Sequence, residues 1–446
     1  MISHEDVVKG IGEQLHNVLA PQVFSAYFNS VVIDSREVAQ GDLFVALRGQ
    51  RDDGHNHIAD AVKRGAGGVF AEMVPDDLAQ GEQLSAMVFL VKDSLTALQS
   101  LARYWRNNRE VEVIGITGSV GKTTTKELIA ALLGRRYRVL KNEGNLNNEI
   151  GLPLSLLQLD DSHERVVLEM GMYAIGEIEL LCSIARPRTG VVTNVGYSHF
   201  GRLESLERIA EAKSELVRSL PVDGTAVLNG DDERARAFRE HTRAHVLLYG
   251  LQPGYDVWAS ELVGKGLEGV SFVLHRGEQS ALVEMALPGR HNVHNALAAA
   301  AVGLGDGFGI EETAACLGEA GSRLRLVPIP GVKDTTIIDD TYNASPSSML
   351  AALDVLAEVR GRKIAVLGGM FELGSFEEEG HSLVGRRVAQ VAQVLVAVGE
   401  RGRILGTEAE RSGLPQVVFA ATNEEAAEAL LPLLLPGDSI LVKGSR

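Results

Sequence analysis

The residues best suited to chemistry fall in one stretch, 113–125, reading V-I-G-I-T-G-S-V-G-K-T-T-T. Gly118 and Gly121 allow the backbone to turn tightly enough for its N–H groups to surround phosphate oxygens, with Thr117, Ser119, Val120 and Thr124 completing the loop. Lys122 supplies a point charge for the β- and γ-phosphates, and the Thr123 hydroxyl is placed for Mg²⁺. The full pattern G-x-x-x-x-G-K-[ST] fails at one position, because Ile116 stands where its first glycine belongs. The shorter T-G-x-x-G-K-T carries the same meaning only between a strand and a helix; elsewhere it is a glycine-rich turn before a lysine. Its flanks supply that context. Residues 111–117 are β-branched and predict a buried parallel strand, and 123–133 have helical periodicity, with Gly134 expected as the C′ glycine.

Further candidates follow along the chain. Residues 141–157, K-N-E-G-N-L-N-N-E-I-G-L-P-L-S-L-L, place Asn147 and Asn148 just before an apolar helix start, where they orient a polar group or cap the helix. Residues 165–171 read as an apolar strand ending in Glu169. An acid at the C-terminal end of a strand beside a phosphate loop is well placed to ligate Mg²⁺, the alternative being a salt-bridged strand end. Residues 189–200 repeat the strand-to-loop pattern and end near His199, by itself either a ligand or a solvated loop histidine. Lys213, on a helix expected from Ser205 to Leu220, looks like an ordinary exposed lysine. Asn292 and Asn295 are three apart and share a helix face, available to an adenine edge or to neighbouring loops.

These residues need an α/β frame. At 446 residues the chain is too long for one ordinary core. Residues 1–109 are expected to form a small N-terminal α/β domain whose loop 49–57 is rich in donors and turn formers. Residues 110–321 are expected to form a central parallel-sheet ATPase domain around the P-loop. Residues 322–446 alternate strand and helix: strands at 335–339, 363–367, 394–398, 417–420 and 439–442, with helices at 347–359, 376–390 and 424–435. That alternation predicts a Rossmann-like, doubly wound domain binding ligands beyond its strand ends, where Asp340, Asn343 and the loop 368–372 lie.

Composition sets the outer limits. Hydrophobic residues make up 45% and charged ones 23%, as in a globular protein, and the net charge of −16 argues against a nucleic-acid surface. Cys182 and Cys316 are far apart with apolar neighbours, which predicts two reduced core thiols. No apolar run approaches membrane-spanning length and the N-terminus has no signal-like pattern, so no membrane insertion and a cytoplasmic location are expected. A monomer is a separate expectation, to which these features do not speak.

Taken in order, the motifs resemble the Mur ligases, ATP-dependent amide-bond-forming enzymes of peptidoglycan precursor synthesis. The likeness covers nearly the whole chain. It rests on D-S-R-E-V-A-Q-G-D-L-F-V-A-L-R-G, T-G-S-V-G-K-T-T-T-K-E, G-N-L-N-N-E-I-G-L-P, L-E-M-G-M, N-V-G-Y-S-H-F, A-K-S-E, G-R-H-N-V-H-N-A-L-A-A-A, D-D-T-Y-N-A-S-P-S-S-M, G-G-M-F-E-L-G and V-K-G-S-R. The resemblance implies ATP and Mg²⁺ as cofactors, with UDP-N-acetylmuramoyl-tripeptide and D-alanyl-D-alanine as substrates. It implies that Ser35, Arg36, Asp53, Gly54 and His55 hold the uridine nucleotide. It assigns Thr123, Glu169, His199 and Lys213 to magnesium, with Lys213 as a carbamate, and makes Lys122, Lys213 and His199 the catalytic set. Asn292 and Asn295 fall near adenine, Arg323 and Asp340 near the ATP phosphates and ribose, and Asn343, Lys443 and Ser445 toward the incoming amine, with Asn147 and Asn148 among the substrate contacts. The implied route is an acyl phosphate, formed from the tripeptide carboxylate and ATP and opened by the amine.

Two places depart from the family pattern. Gly369 stands where many relatives carry an acid, and relatives continue beyond V-K-G-S-R with another Ser and a helix, so the amine site and last strand are expected to feel that difference. Two other readings compete. A folylpolyglutamate synthase-like ligase shares the P-loop variant but lacks a comparable domain of about 110 residues ahead of it. A non-catalytic ATP-binding module has no use for the second-substrate motifs.

Overall fold

The computed structural model describes every residue except 23–24, 50, 74–84, 199, 324–327 and 446; the side chains of 322 and 323 are also outside it. The architecture is α/β in three domains, as expected. Packing divides the chain into two compact units, one of Met1–Ile114, Tyr137–Met170 and Glu177–Pro187, the other of Gly115–Arg136, Gly171–Gly176 and Arg188–Arg446.

In the first unit a five-stranded sheet runs in the order Leu15–Leu19, Met87–Val91, Gly68–Ala71, Leu43–Val45, Val31–Val32, parallel except for Leu15–Leu19. Its inner strands, G-V-F-A and M-V-F-L-V, are almost continuously apolar, as strands covered on both faces must be. Phe89 anchors that core, edge-on to Phe70 at 5.7 Å and to Phe28 at 6.0 Å. Helix Ser94–Asn107 starts where the Asp93 carboxylate accepts the Thr96 N–H, and it buries Leu98, Leu101 and Trp105. Strands Val139–Lys141 and Arg165–Glu169 pair in parallel in the same unit.

Strand Glu112–Thr117 passes from the first unit into the second. There it is followed across the sheet by Thr189–Val192, Thr225–Asn229, His245–Gly250, Val257–Gly264, Val270–Arg276 and Gln279–Met285. The last three strands are joined antiparallel, so the expected parallel sheet describes only the P-loop side. The change shows in the side chains. Ala281, Val283 and Met285 are buried while Ser280, Leu282 and Glu284 between them face outward, the alternation of a one-sided sheet.

The C-terminal sheet has the order Ile329–Pro330, Thr336–Asp339, Ser439–Lys443, Lys363–Leu367, Val394–Val398, Val417–Ala420, parallel apart from the first edge strand. Two local expectations fail. Gly134 ends its helix in right-handed conformation (φ −63°, ψ −8°), so the helix stops without a left-handed C′ residue. Helix Gly399–Arg411 was not expected from the sequence at all. Its glycines lower helical propensity, yet they let it lie close to the sheet: a Cβ on Gly406 would come 2.5 Å from the Phe419 ring. Cys182 and Cys316 are buried free thiols, as expected. Among the described residues no helix is long and apolar enough to cross a membrane.

Candidate functional site

The P-loop lies between strand Glu112–Thr117 and helix Lys122–Leu133. Ile116, which breaks the longer motif, is fully buried in the strand. No side chain caps the helix, whose positive end is thus presented toward the loop. Gly118 (φ +149°) and Gly121 (φ +88°) hold backbone conformations that favour glycine. A Cβ would also collide with the Thr193 hydroxyl at Gly118 and with the Asn295 amide at Gly121. A second loop braces the first. Asn194 Oδ1 accepts the Val120 N–H at 3.0 Å while its Nδ2 donates to the Val120 carbonyl at 2.9 Å. Ser119 Oγ donates to the Gly196 carbonyl at 3.0 Å and accepts its N–H at 2.8 Å. The Thr117 carbonyl accepts the Thr193 N–H at 3.0 Å, and Lys122 Nζ curls back to the Gly118 carbonyl at 3.0 Å.

In the first unit, the Glu169 side chain is buried and held by asparagines. Asn147 Nδ2 donates to Glu169 Oε1 at 2.8 Å, and Asn142 makes a reciprocal pair with the Glu169 backbone at 2.9 and 3.0 Å. Asn148 does something else. Its Oδ1 accepts the Ile150 and Gly151 N–H groups, capping helix Gly151–Leu156. The two adjacent asparagines therefore divide between the two readings the sequence left open.

Lys213, read as an exposed lysine from its neighbours alone, is buried on helix Leu206–Arg218, with only 2% of its surface accessible. Desolvation, followed by repulsion from the Lys122 ammonium, pushes its pKa well below the usual lysine value. Both effects favour the neutral amine, the form that reacts with CO₂. His199 lies outside the described residues. Among the described residues no group of three or more His, Cys, Asp or Glu side chains could hold a metal ion.

A cavity of about 610 Å³ in the second unit has the P-loop on one side and the C-terminal strand ends on the other. Thr123, Thr124, Asn292 and Asn295 line it, as do Asp340, Asn343, Lys443 and Ser445. Asn295 Nδ2 donates to Asn292 Oδ1 at 2.8 Å and Asn292 Nδ2 to the Pro288 carbonyl at 2.7 Å, so each asparagine fixes its neighbour at the start of helix His291–Gly305. Lys443 is buried, its Nζ 2.8 Å from Asp340 Oδ2, 2.7 Å from the Asn343 carbonyl and 3.3 Å from the Asp340 carbonyl. Ser445 Oγ donates to the Ala344 carbonyl and accepts the Phe371 N–H, both at 3.2 Å, which ties loops 340–344 and 369–371 together. The aromatic side chains Tyr173, Tyr342 and Phe371 also line the cavity and are well exposed there. Helix Ile310–Arg323 ends at Arg323, whose side chain is among those not described.

The N-terminal candidates form a hydrogen-bonded turn in the first unit. Ser35 is buried, and the exposed Arg36 forks onto Asp34, which holds that carboxyl down at about 2. Asp53 Oδ1 accepts the His55 N–H at 3.0 Å and lies 2.6 Å from His55 Nδ1, while the Glu72 N–H donates to His55 Nε2 at 3.0 Å. The tautomer with its proton on Nδ1 satisfies both contacts. Gly54 donates its N–H to the Leu47 carbonyl at 2.8 Å. Asp53, Gly54 and His55 thus fix each other and loop 47–54.

The sequence relationships agree with this arrangement. The Mur ligase middle domain matches residues 116–303, the Mur ligase, glutamate ligase domain residues 322–446, and the Mur ligase family, catalytic domain residues 27–106. The UDP-N-acetylmuramoyl-tripeptide–D-alanyl-D-alanine ligase of Bacillus subtilis is 37% identical over 98% of this chain and 95% of its own length. The chain belongs to the Mur ligase family. The ligase of the same name from Escherichia coli is 34% identical over 94% of this chain and 91% of its own. Among solved structures, MurF from Acinetobacter baumannii superposes with a TM-score of 0.89 at 33% identity, covering 100% of this chain and 96% of that one. MurF from Thermotoga maritima in complex with ADP gives 0.79 at 31%, covering 94% of each.

The Glu169 carboxylate of the first unit, oriented by Asn147, and the Thr123 hydroxyl of the second are each a hard-oxygen donor of the kind magnesium takes, an ion that ordinarily uses only one or two protein carboxylates, the rest being water and phosphate oxygens. Sequence reasoning missed the second line of residues that hold this Mur ligase site. Asn194 sat inside a quoted motif but only its histidine was singled out. Asp232 caps helix Glu233–Ala237 through one oxygen and accepts the Val195 N–H at 2.9 Å through the other. His381, fully buried on helix Glu377–Val391, accepts the Met370 N–H at 2.9 Å, and burial lowers its pKa. Nothing in their local sequence distinguishes Asp232 or His381, because both contacts are made with residues distant along the chain.

Proposed function

We propose that this chain is the ATP-dependent ligase that joins D-alanyl-D-alanine to the terminal carboxylate of UDP-N-acetylmuramoyl-tripeptide in cytoplasmic peptidoglycan precursor synthesis. The observation carrying this reading is the single cavity with the P-loop on one wall and the Asp340–Asn343–Lys443 cluster on the other. Such a cavity brings a nucleotide's terminal phosphate toward the end of the chain where an amine would arrive.

The residues take the following parts. Gly118 to Thr124 wrap the ATP phosphates, with Lys122 on the β/γ oxygens; Asn292 and Asn295 stand at the adenine, and Asp340 and Arg323 at ribose and phosphate. Thr123, Glu169, His199 and a carbamylated Lys213 would hold Mg²⁺, which when bound offsets the repulsion between two anions and the charge that develops at phosphorus. The tripeptide carboxylate oxygen attacks the γ-phosphorus and ADP leaves, giving an acyl phosphate. The D-alanyl-D-alanine amine then attacks the acyl carbon, loses a proton and expels phosphate. No protein nucleophile is required. Asn343, Lys443 and Ser445 stand toward the incoming amine, and Lys443 and Ser445 also shape the amine loop through their hydrogen bonds to loops 340–344 and 369–371. Ser35, Arg36, Asp53, Gly54 and His55 frame the uridine end, with domains at 1–109, 110–321 and 322–446.

The test is phosphate release from Mg-ATP with UDP-N-acetylmuramoyl-tripeptide, with and without D-alanyl-D-alanine, trying tripeptides ending in lysine and in diaminopimelate. Release that needs both substrates and yields the UDP-linked pentapeptide is expected. Release driven by glutamate and a folate instead would overturn the assignment.

A further inference from the structure

Two stretches that line the cavity, one central and one C-terminal, are also fastened to each other. The Tyr197 ring lies flat on Phe376, centroids 3.9 Å apart and planes 7° from parallel, and Phe200 leans on both at 5.5 and 5.7 Å. Beside the stack the Gly201 N–H donates to the Glu372 carbonyl at 2.6 Å. The backbones touch there: a Cβ on Gly374 would lie 2.6 Å from Gly201 Cα, and one on Gly201 2.9 Å from the Glu372 oxygen. Glu372 (φ +63°) and Gly374 (φ +53°) are both left-handed, so the C-terminal turn is bent sharply at the contact.

Each half of this clasp continues into the site. On the central side, Tyr197 follows Gly196, which exchanges two hydrogen bonds with Ser119 of the P-loop. On the C-terminal side, Glu372 follows Phe371, whose N–H donates to Ser445 Oγ; the Ser445 N–H in turn donates to the Gly369 carbonyl at 3.0 Å. A continuous run of packed and hydrogen-bonded groups therefore joins the phosphate loop to residues 443–445.

We propose that Phe376, with Gly201, is a positioning element for the amide-forming half of the reaction: the clasp sets the distance between the amine loop and the acyl phosphate, and touches neither substrate. The inference rests on the ligase reading above. The effect should fall on the second step, because the P-loop has its own braces in Asn194 and Thr193, whereas the amine loop depends on the C-terminal domain's position.

The experiment uses the full chain with Phe376→Ala, Phe376→Leu, Phe376→Tyr and Gly201→Ala. Three quantities are read for each: the ADP Kd by calorimetry, the single-turnover yield of ADP from UDP-tripeptide and ATP without amine, and kcat/KM for D-alanyl-D-alanine. Loss of the flat ring or insertion of the Cβ should lower kcat/KM for the amine by roughly 10- to 100-fold, the scale of an ångström-sized misplacement, and leave the other two within about threefold. Phe376→Tyr should stay near wild type, and Phe376→Leu, which keeps apolar bulk, should share the alanine defect. Equal losses in all three quantities, or an amine kcat/KM that does not move, would overturn the proposal. Wild-type protein without amine-dependent turnover would instead sink the ligase reading.

Discussion

Lys443 and Asp340 form a close charged contact at the cavity, an ammonium 2.8 Å from a carboxylate with the lysine side chain almost wholly buried. The same ammonium reaches the Asp340 and Asn343 carbonyls, so it fixes the direction in which loop 340–343 faces the cavity. Lys443→Met removes the charge and keeps the stem. It should destabilise the protein by about 1–3 kcal/mol, through the lost charge-assisted bonds to a partly exposed acid. It should also lower kcat by about 10²-fold through misplacement of the loop. Thermal unfolding and initial rates check the two effects separately; a variant with normal kcat would show that the loop does not need its lysine.

Glu169 depends on Asn147 in a comparable way. The Asn147 amide is the hydrogen bond that aims one carboxylate oxygen. Asn147→Ala should raise the Mg²⁺ concentration for half-maximal activity by roughly 10- to 100-fold, as outer-shell losses at metal sites do. Asn148→Ala, which loses a helix cap, should instead cost about 1 kcal/mol of stability with little change in the Mg²⁺ requirement. Mg²⁺ titrations of the two variants distinguish these outcomes.

Gly121 faces Asn295 with no room for a side chain and holds a left-handed backbone. Gly121→Ala should weaken ADP binding by at least about tenfold, since the strain of roughly 1–3 kcal/mol falls on the loop that wraps the phosphates. Calorimetry with Mg-ADP measures this directly, and an unchanged Kd would contradict the placement of phosphate on this loop.

Lys213 carries a pH prediction. Its folded pKa lies well below 10.5 because of burial and Lys122. Between the folded value and 10.5 the unfolded chain holds a proton that the folded chain lacks, so stability should rise with pH across that window. Below the folded value the lysine is charged in both states and the burial cost is present in full. Lys213→Met should therefore unfold at higher denaturant concentration than wild type at neutral pH and show a flatter pH dependence, while losing activity. Urea titrations at several pH values check the sign; a Lys213→Met variant less stable than wild type would contradict it.

Much of this arrangement was legible in the sequence. The P-loop could be read because strand, glycines and helix are contiguous, and the C-terminal sheet because its strands are near-continuous apolar runs. The burial of Lys213 was misread because its charge was given more weight than its position: Ile209, Ala212, Leu216 and Val217 form the buried stripe of its helix, and residue 213 falls on that stripe. Helix Gly399–Arg411 was lost because its glycines serve packing against the sheet at the expense of helical propensity. The asparagine pairs were ambiguous because capping and carboxylate orientation use the same side-chain oxygen and amide, and only the tertiary fold decides which neighbour each meets. His381, Asp232 and the Tyr197–Phe376 stack were out of reach, since each joins segments far apart along the chain.

The central claim is that the tripeptide carboxylate becomes an acyl phosphate in this cavity. UDP-N-acetylmuramoyl-tripeptide labelled with ¹⁸O in its terminal carboxylate tests it most directly, with Mg-ATP and D-alanyl-D-alanine present and the released phosphate analysed by mass spectrometry. The account predicts one ¹⁸O in each phosphate released during pentapeptide formation, because the attacking carboxylate oxygen departs with phosphorus. Pentapeptide made with unlabelled phosphate would contradict it.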